Sequence, residues 1–187
     1  RPCVVFAGRL TAEKGVTHLL QAWKAWGAEA PELRIVGDGD LRVELTEMAA
    51  GLPVNFVGQV SSERAQAEIA AARLLVLPSV CFEGFPMVVR EAFAFGTPLA
   101  VSDIGPLPSI VEKNVSGLVF APASPESLLR EVRAAWESPD LLERLGRGAR
   151  MEFETKYTED ANYRMLMAIY DQAISVCRAR ASSAGQE

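Results

Sequence analysis

The feature that most limits the possible folds is an alternation. Short apolar runs, "CVVFAG" (3–8), "LRIVG" (33–37), "VNFVG" (54–58), "LLVLPS" (74–79) and "PLAVSD" (98–103), are separated by amphipathic stretches. Those stretches predict helices over about Gly15–Trp26, Asp40–Ala50, Ser62–Ala72 and Pro86–Phe95. Runs that are apolar throughout, and not only at every second residue, suit strands buried on both faces, as in a parallel sheet covered by helices. The expected fold is a doubly wound, Rossmann-like α/β domain. After "GLVFAP" (117–122) the pattern turns helical, over Ser124–Trp136, Pro139–Glu152 and about Thr158–Arg180. The small, polar tail 181–187, "ASSAGQE", is expected to fray.

Length and composition narrow the class. A chain of 187 residues, 49% hydrophobic, can bury one sizeable core and fits a single domain over 1–187. The net charge is −5 and the cations are scattered, so nothing points to nucleic acid or to an anionic membrane surface. Cys3, Cys81 and Cys177 are an odd number without paired spacing, which fits a reducing, cytosolic setting better than a disulfide framework. No apolar run reaches transmembrane length. The chain opens at Arg1 almost directly on a strand, and reads as a piece of a longer protein. His18 is the only histidine and falls inside the first predicted helix, which leaves no set for a protein-built zinc site or a Ser/His/Asp nucleophile. Trp23 and Trp26 fall at helical spacing and are expected in the packing.

In doubly wound folds ligands bind at the carboxyl ends of the strands, so the loops there matter most. The first, "GRLTAEKG" (Gly8–Gly15), is a glycine turn carrying Arg9 and Lys14. It is not a Walker loop, because Lys14 is followed by Gly15 and Val16 where Ser or Thr is needed. An arginine fork with a lysine point charge can hold a diphosphate without a metal. The spacing alone fits two solvated loop cations equally well.

A second loop, "EGFPMVVRE", sets Glu83 and Glu91 seven residues apart. Pro86 suits the first helical position and Gly84 a tight turn. The N–H groups of Phe85, Met87 and Val88 would then form an anion site at the helix N-terminus. Glu91 lies about 7 Å further along the axis, far enough to leave a phosphate alone and to accept hydrogen bonds from a sugar diol. Glu83 would face a neutral polyhydroxylated group beyond the phosphates. The plain alternative is a loop charge and an exposed helix position. The glycines of "IVGDGD" and "FVGQV", Gly37 and Gly39 among them, are too few for a dinucleotide fingerprint and fit turns. Val57 and Gly58 are expected to offer backbone N–H and C=O to a nucleobase edge.

In this order, "FAGRLTAEKG", "LRIVGDGD", "VNFVGQV", "LPSVCFEGFPMVVREAFAFGTPLAVSDIG" and "SGLVFAP" resemble the retaining glycosyltransferases of family 4 over nearly the whole chain. The likeness is to the C-terminal, nucleotide-sugar-binding half of the two-domain GT-B fold. It implies transfer of a hexose from a nucleoside diphosphate sugar, such as a UDP-sugar or GDP-sugar, in polysaccharide or glycolipid assembly. By the same resemblance Arg9 and Lys14 would hold the diphosphate and Glu91 the ribose hydroxyls. Glu83 and the backbone of Gly84, Phe85, Pro86, Met87 and Val88 would hold the hexose and distal phosphate, with Gly8, Gly37, Val57 and Gly58 also at the donor. No cofactor and no divalent cation is implied. The acceptor would bind mostly on an N-terminal domain that this sequence lacks, and to which the last helix usually crosses back. That makes the isolated domain inactive alone and allows a peripheral place at the cytoplasmic face of the inner membrane through the other half.

One departure is Ser109 in "GPLPS", where relatives often carry Gly-Gly-Ile-Pro-Glu. Serine orders neighbouring backbone more weakly than a carboxylate does. A sugar-nucleotide-binding or interaction module without catalysis, or a sugar-nucleotide epimerase of related fold, are the other readings. The epimerase would want further acid and base groups.

Overall fold

The computed structural model describes residues 2–184. Six strands, β1 (Cys3–Ala7), β2 (Glu32–Val36), β3 (Val54–Gly58), β4 (Leu74–Leu77), β5 (Leu99–Ser102) and β6 (Gly117–Phe120), fall on the six runs, β2 starting one residue early. They form one parallel sheet in the order β3-β2-β1-β4-β5-β6. The helices are α1 (Val16–Trp26), α2 (Arg42–Met48), α3 (Ser62–Ala71), α4 (Met87–Phe95), α5 (Leu107–Ile110), α6 (Pro125–Trp136), α7 (Pro139–Glu152) and α8 (Glu159–Ala184). A π-helical turn, Phe153–Tyr157, joins the last two.

Alternate residues of each strand enter opposite cores, as the pleat requires. Val4 and Phe6 pack with Leu19, Leu20 and Trp23 of α1, Leu45 of α2 and Val132 of α6. Val5 packs with Ile69 of α3, Val89 and Phe93 of α4 and Leu107 of α5 on the other face. Trp23 is fully buried, donates its indole N–H to the Pro31 carbonyl at 2.9 Å, and meets the Trp26 ring edge-on at 5.4 Å. Both tryptophans are therefore core, and each of the two faces has its own hydrophobic layer.

Several elements differ from the sequence expectation. α2 starts at Arg42, later than Asp40, because residues 38–41 are tied to the first loop. Leu10 N–H donates to the Asp38 carbonyl at 2.9 Å and Leu41 N–H to the Leu10 carbonyl at 3.0 Å. Pro86 is the N-cap, with extended backbone at ψ 123°, and α4 proper begins one residue later. The short α5 was not expected in "GPLPS". It forms because Pro106 and Pro108 stand at its start, where a missing N–H removes no helical bond. α8 runs past Arg180 to Ala184, four residues beyond the expected end, and 185–187 lie outside the described residues. From Asn162 to Cys177 every residue of α8 is exposed, Tyr163, Met165, Ile169 and Tyr170 included. No described helix is long and apolar enough to cross a membrane.

Candidate functional site

The sheet order reverses direction between β1 and β4. β1 leads to α1 on one face and β4 to α4 on the other, so the loops after these two strands diverge and leave a crevice at their carboxyl ends. Glycine geometry sets how closely the two loops approach. Gly15 sits in the left-handed region at φ +67°, and a Cβ there would lie 1.9 Å from the Pro78 carbonyl oxygen. Only glycine lets α1 begin against the end of β4. The Val80 N–H completes the seam by donating to the Glu13 carbonyl at 2.9 Å.

Across this seam Lys14 Nζ donates to Glu83 Oε2 at 2.6 Å, and the Ser79 hydroxyl donates to Oε1 of the same carboxylate. The Lys14 and Glu83 side chains are 21% and 12% exposed, so the pair is largely sheltered yet reachable from the crevice. The sequence placed a cation and a carboxylate here as separate ligand contacts. The structure joins them in one ion pair. Arg9 does not converge with Lys14: its side chain is 75% exposed and meets Glu13 at 3.7 Å.

Arg9 instead borders a cleft of about 540 Å³, lined also by Gly8, Gly37, Asp38, Gln59 and Val60. Gly37, at φ +125°, builds its floor, since a Cβ would lie 2.0 Å from the Gly8 carbonyl oxygen. The Gly58 carbonyl accepts from Gly37 N–H at 2.8 Å and Val57 packs against the core, so neither lines the cleft. The register of β2 and β3 shifts at Ile35/Val36, and Gln59 and Val60, just past the end of β3, border the cleft.

At the start of α4 the N–H groups of Met87 and Val88 have no intrahelical acceptor by position, while Val89 N–H donates to the Pro86 carbonyl at 3.0 Å. Gly84 is not required by the turn. Its φ lies outside the left-handed region and a Cβ would meet open space, so the residue leaves the helix end uncovered and does not tighten the chain. Phe85 precedes the helix and rests its ring 5.4 Å from Tyr157, whose phenol is pushed up by burial. Glu91 is half-buried and meets Gln66 Nε2 of α3 at 3.4 Å, apart from the cleft. Ser109 is exposed on α5, and His18 contacts Gln21 at 3.3 Å on α1. Among the described residues no group of three or more His, Cys, Asp or Glu stands close enough to hold a metal ion.

Sequence reasoning missed Ser79, Gln59, Asp38 and Gln66. Ser79 had one faint signal, a hydroxyl at the end of an apolar run and four residues ahead of Glu83. The others carry no signal short of knowing the strand order.

A parallel sheet in this order with helices on both faces is a doubly wound α/β domain, the fold of the GT-B glycosyltransferases. The family model for glycosyl transferases group 1 matches residues 1–152, and the chain belongs to that family. An alpha-D-kanosaminyltransferase of Streptomyces kanamyceticus is 30% identical over 176 residues, 91% of this chain and 45% of the relative. A GDP-mannose-dependent alpha-(1-6)-phosphatidylinositol dimannoside mannosyltransferase of Mycobacterium tuberculosis is 32% identical over 174 residues, 92% of this chain and 45% of the relative. The solved complex of an Anabaena protein, HepE, with UDP-glucose superposes with a TM-score of 0.79 at 22% identity, over 90% of this chain and 48% of that one. The chain thus spans less than half the length of the curated relatives it matches.

Proposed function

We propose that this chain is the donor-binding domain of a retaining glycosyltransferase, moving a hexose from a nucleoside diphosphate sugar to an acceptor hydroxyl in polysaccharide or glycolipid assembly. The observation that carries the proposal is the Lys14–Glu83 pair, which bridges the crevice where such folds bind nucleotides and adjoins the open N-terminus of α4. Lys14, Arg9 and the N–H groups of Met87 and Val88 would take the diphosphate, Glu83 and the backbone at Gly84 and Phe85 the hexose, and Glu91 the ribose hydroxyls. As the glycosidic bond stretches, charge grows on the leaving β-phosphate, and cations and N–H groups brought against it lower the barrier electrostatically. With side chains supplying the positive charge, the reaction is read as needing no divalent cation.

The relative that uses GDP-mannose and the neighbour bound to UDP-glucose support a UDP- or GDP-sugar as donor. The length of the relatives supports an N-terminal acceptor domain as the partner of this one. In that arrangement the enzyme works in the cytoplasm, at the inner membrane face through the acceptor half, and residues 1–187 bind donor but do not transfer alone.

The test is thermal shift of the chain with UDP, GDP, ADP and their glucose and mannose conjugates, with and without EDTA. A bound ligand at a hundredfold excess over its Kd stabilises by about 2.7 kcal/mol. The expected result is an EDTA-insensitive shift from one nucleotide, lost in Lys14→Ala and Glu91→Ala. No shift from any of them overturns the reading.

A further inference from the structure

Ser79 follows β4, is 1% exposed, and has its hydroxyl on Glu83 Oε1 while Lys14 holds Oε2. The carboxylate is thus gripped from two sides by unlike partners. One is a short neutral hydroxyl anchored to the end of a central strand. The other is an ammonium on a flexible four-carbon stem, free to swing toward a stronger anion. A diphosphate in the crevice would draw Lys14 off, and Glu83 would then be held by Ser79 alone.

We propose that Ser79 is a positioning residue: its hydroxyl keeps the Glu83 carboxylate in place for the sugar while Lys14 exchanges that carboxylate for the diphosphate. The proposal rests on the donor-site reading above. Without the serine, the carboxylate would follow the ammonium toward the phosphates, where its charge repels the ligand and its oxygens miss the sugar. An ordinary packing role would instead weaken nucleotide and nucleotide-sugar alike.

The experiment is isothermal titration of the wild type, Ser79→Ala, Glu83→Gln and the double variant with UDP against UDP-glucose and GDP against GDP-mannose. The expected outcome is that Ser79→Ala changes affinity for the bare nucleotide less than about twofold and weakens the sugar conjugate about tenfold, or about 1.4 kcal/mol. In the Glu83→Gln background the same substitution adds nothing to the ratio of the two affinities, because its route of action is already gone. Equal losses for both ligands, an undiminished effect in the Glu83→Gln background, or unchanged affinities in Ser79→Ala each overturn the inference while leaving the donor site standing. A wild type that binds no nucleotide sinks the donor-site reading and this inference with it. A wild type that binds nucleotide but gains no affinity from either hexose removes the Glu83 sugar contact, and the role of Ser79 goes too.

Discussion

Two clusters of opposite charge, built from the same chemistry, stand in different places. In one, Arg34 of β2 donates to Glu32 at 2.9 Å and to Glu68 of α3 at 2.9 Å, and the second oxygen of Glu68 accepts from Arg64 at 2.9 Å. Glu68 is 6% exposed, and every member belongs to β2 or to the helix packed upon it. In the other, Lys14 and Glu83 come from two loops that diverge at the strand ends. The first cluster ties β2 to α3, away from the strand ends. The second closes a gap that the topology leaves open, with a cation an anionic ligand can claim. On the donor-site proposal, position relative to the carboxyl ends of the strands separates a structural ion pair from an exchangeable one, where residue type does not.

That distinction breaks most visibly at Lys14. In the whole enzyme Lys14→Ala is expected to lower turnover on the order of a hundredfold, about 3 kcal/mol in the barrier, as for loss of one preorganised charge donor. Urea unfolding should move far less, because Glu83 keeps Ser79 and borders the open crevice. Near-normal turnover would remove Lys14 from the mechanism.

The converse variant is Glu68→Ala. Removing one partner of a buried pair strands the other, which costs about 3–5 kcal/mol when both are fully buried. Arg34 keeps Glu32 and has a side chain 24% exposed, so about 2 kcal/mol is expected by urea denaturation. Nucleotide affinity should stay at the wild-type value. Loss of binding with loss of stability would mean that the two clusters are not independent.

How far the sequence foretold this arrangement depended on range. The central strands were legible because burial on both faces makes a continuous apolar run, as in "LLVLPS". Lys14 and Glu83 were each legible as strand-end charges. Their pairing was not, since they are 69 residues apart and meet only because β1 lies beside β4. That Gln59 and Val60 border the cleft was not legible, because the shifted register between β2 and β3 cannot be read from "VNFVG". α8 was legible as a helix, while the exposure of Tyr163, Met165, Leu166 and Ile169 along it is seen only in the structure.

The smallest effect tests the structural cluster by pH. The Arg34 N–H donated to Glu32 is the main reason that its carboxyl lies below the ordinary value of 4.5. A carboxyl depressed in the folded state takes up protons less readily there than in the unfolded chain. Its stabilising contribution is therefore complete above the unfolded value near 4.5 and fades as pH falls through the lower folded value. Melting curves taken from about pH 6 down to about pH 3 should show Tm falling more steeply in wild type than in Glu32→Gln, with the two lines converging at the acid end. The difference should be slight, because the Glu32 side chain is 30% exposed and Glu68 still holds Arg34. Parallel lines would place the whole weight of the cluster on Glu68, and the structural ion pair would then reduce to the one contact between β2 and α3.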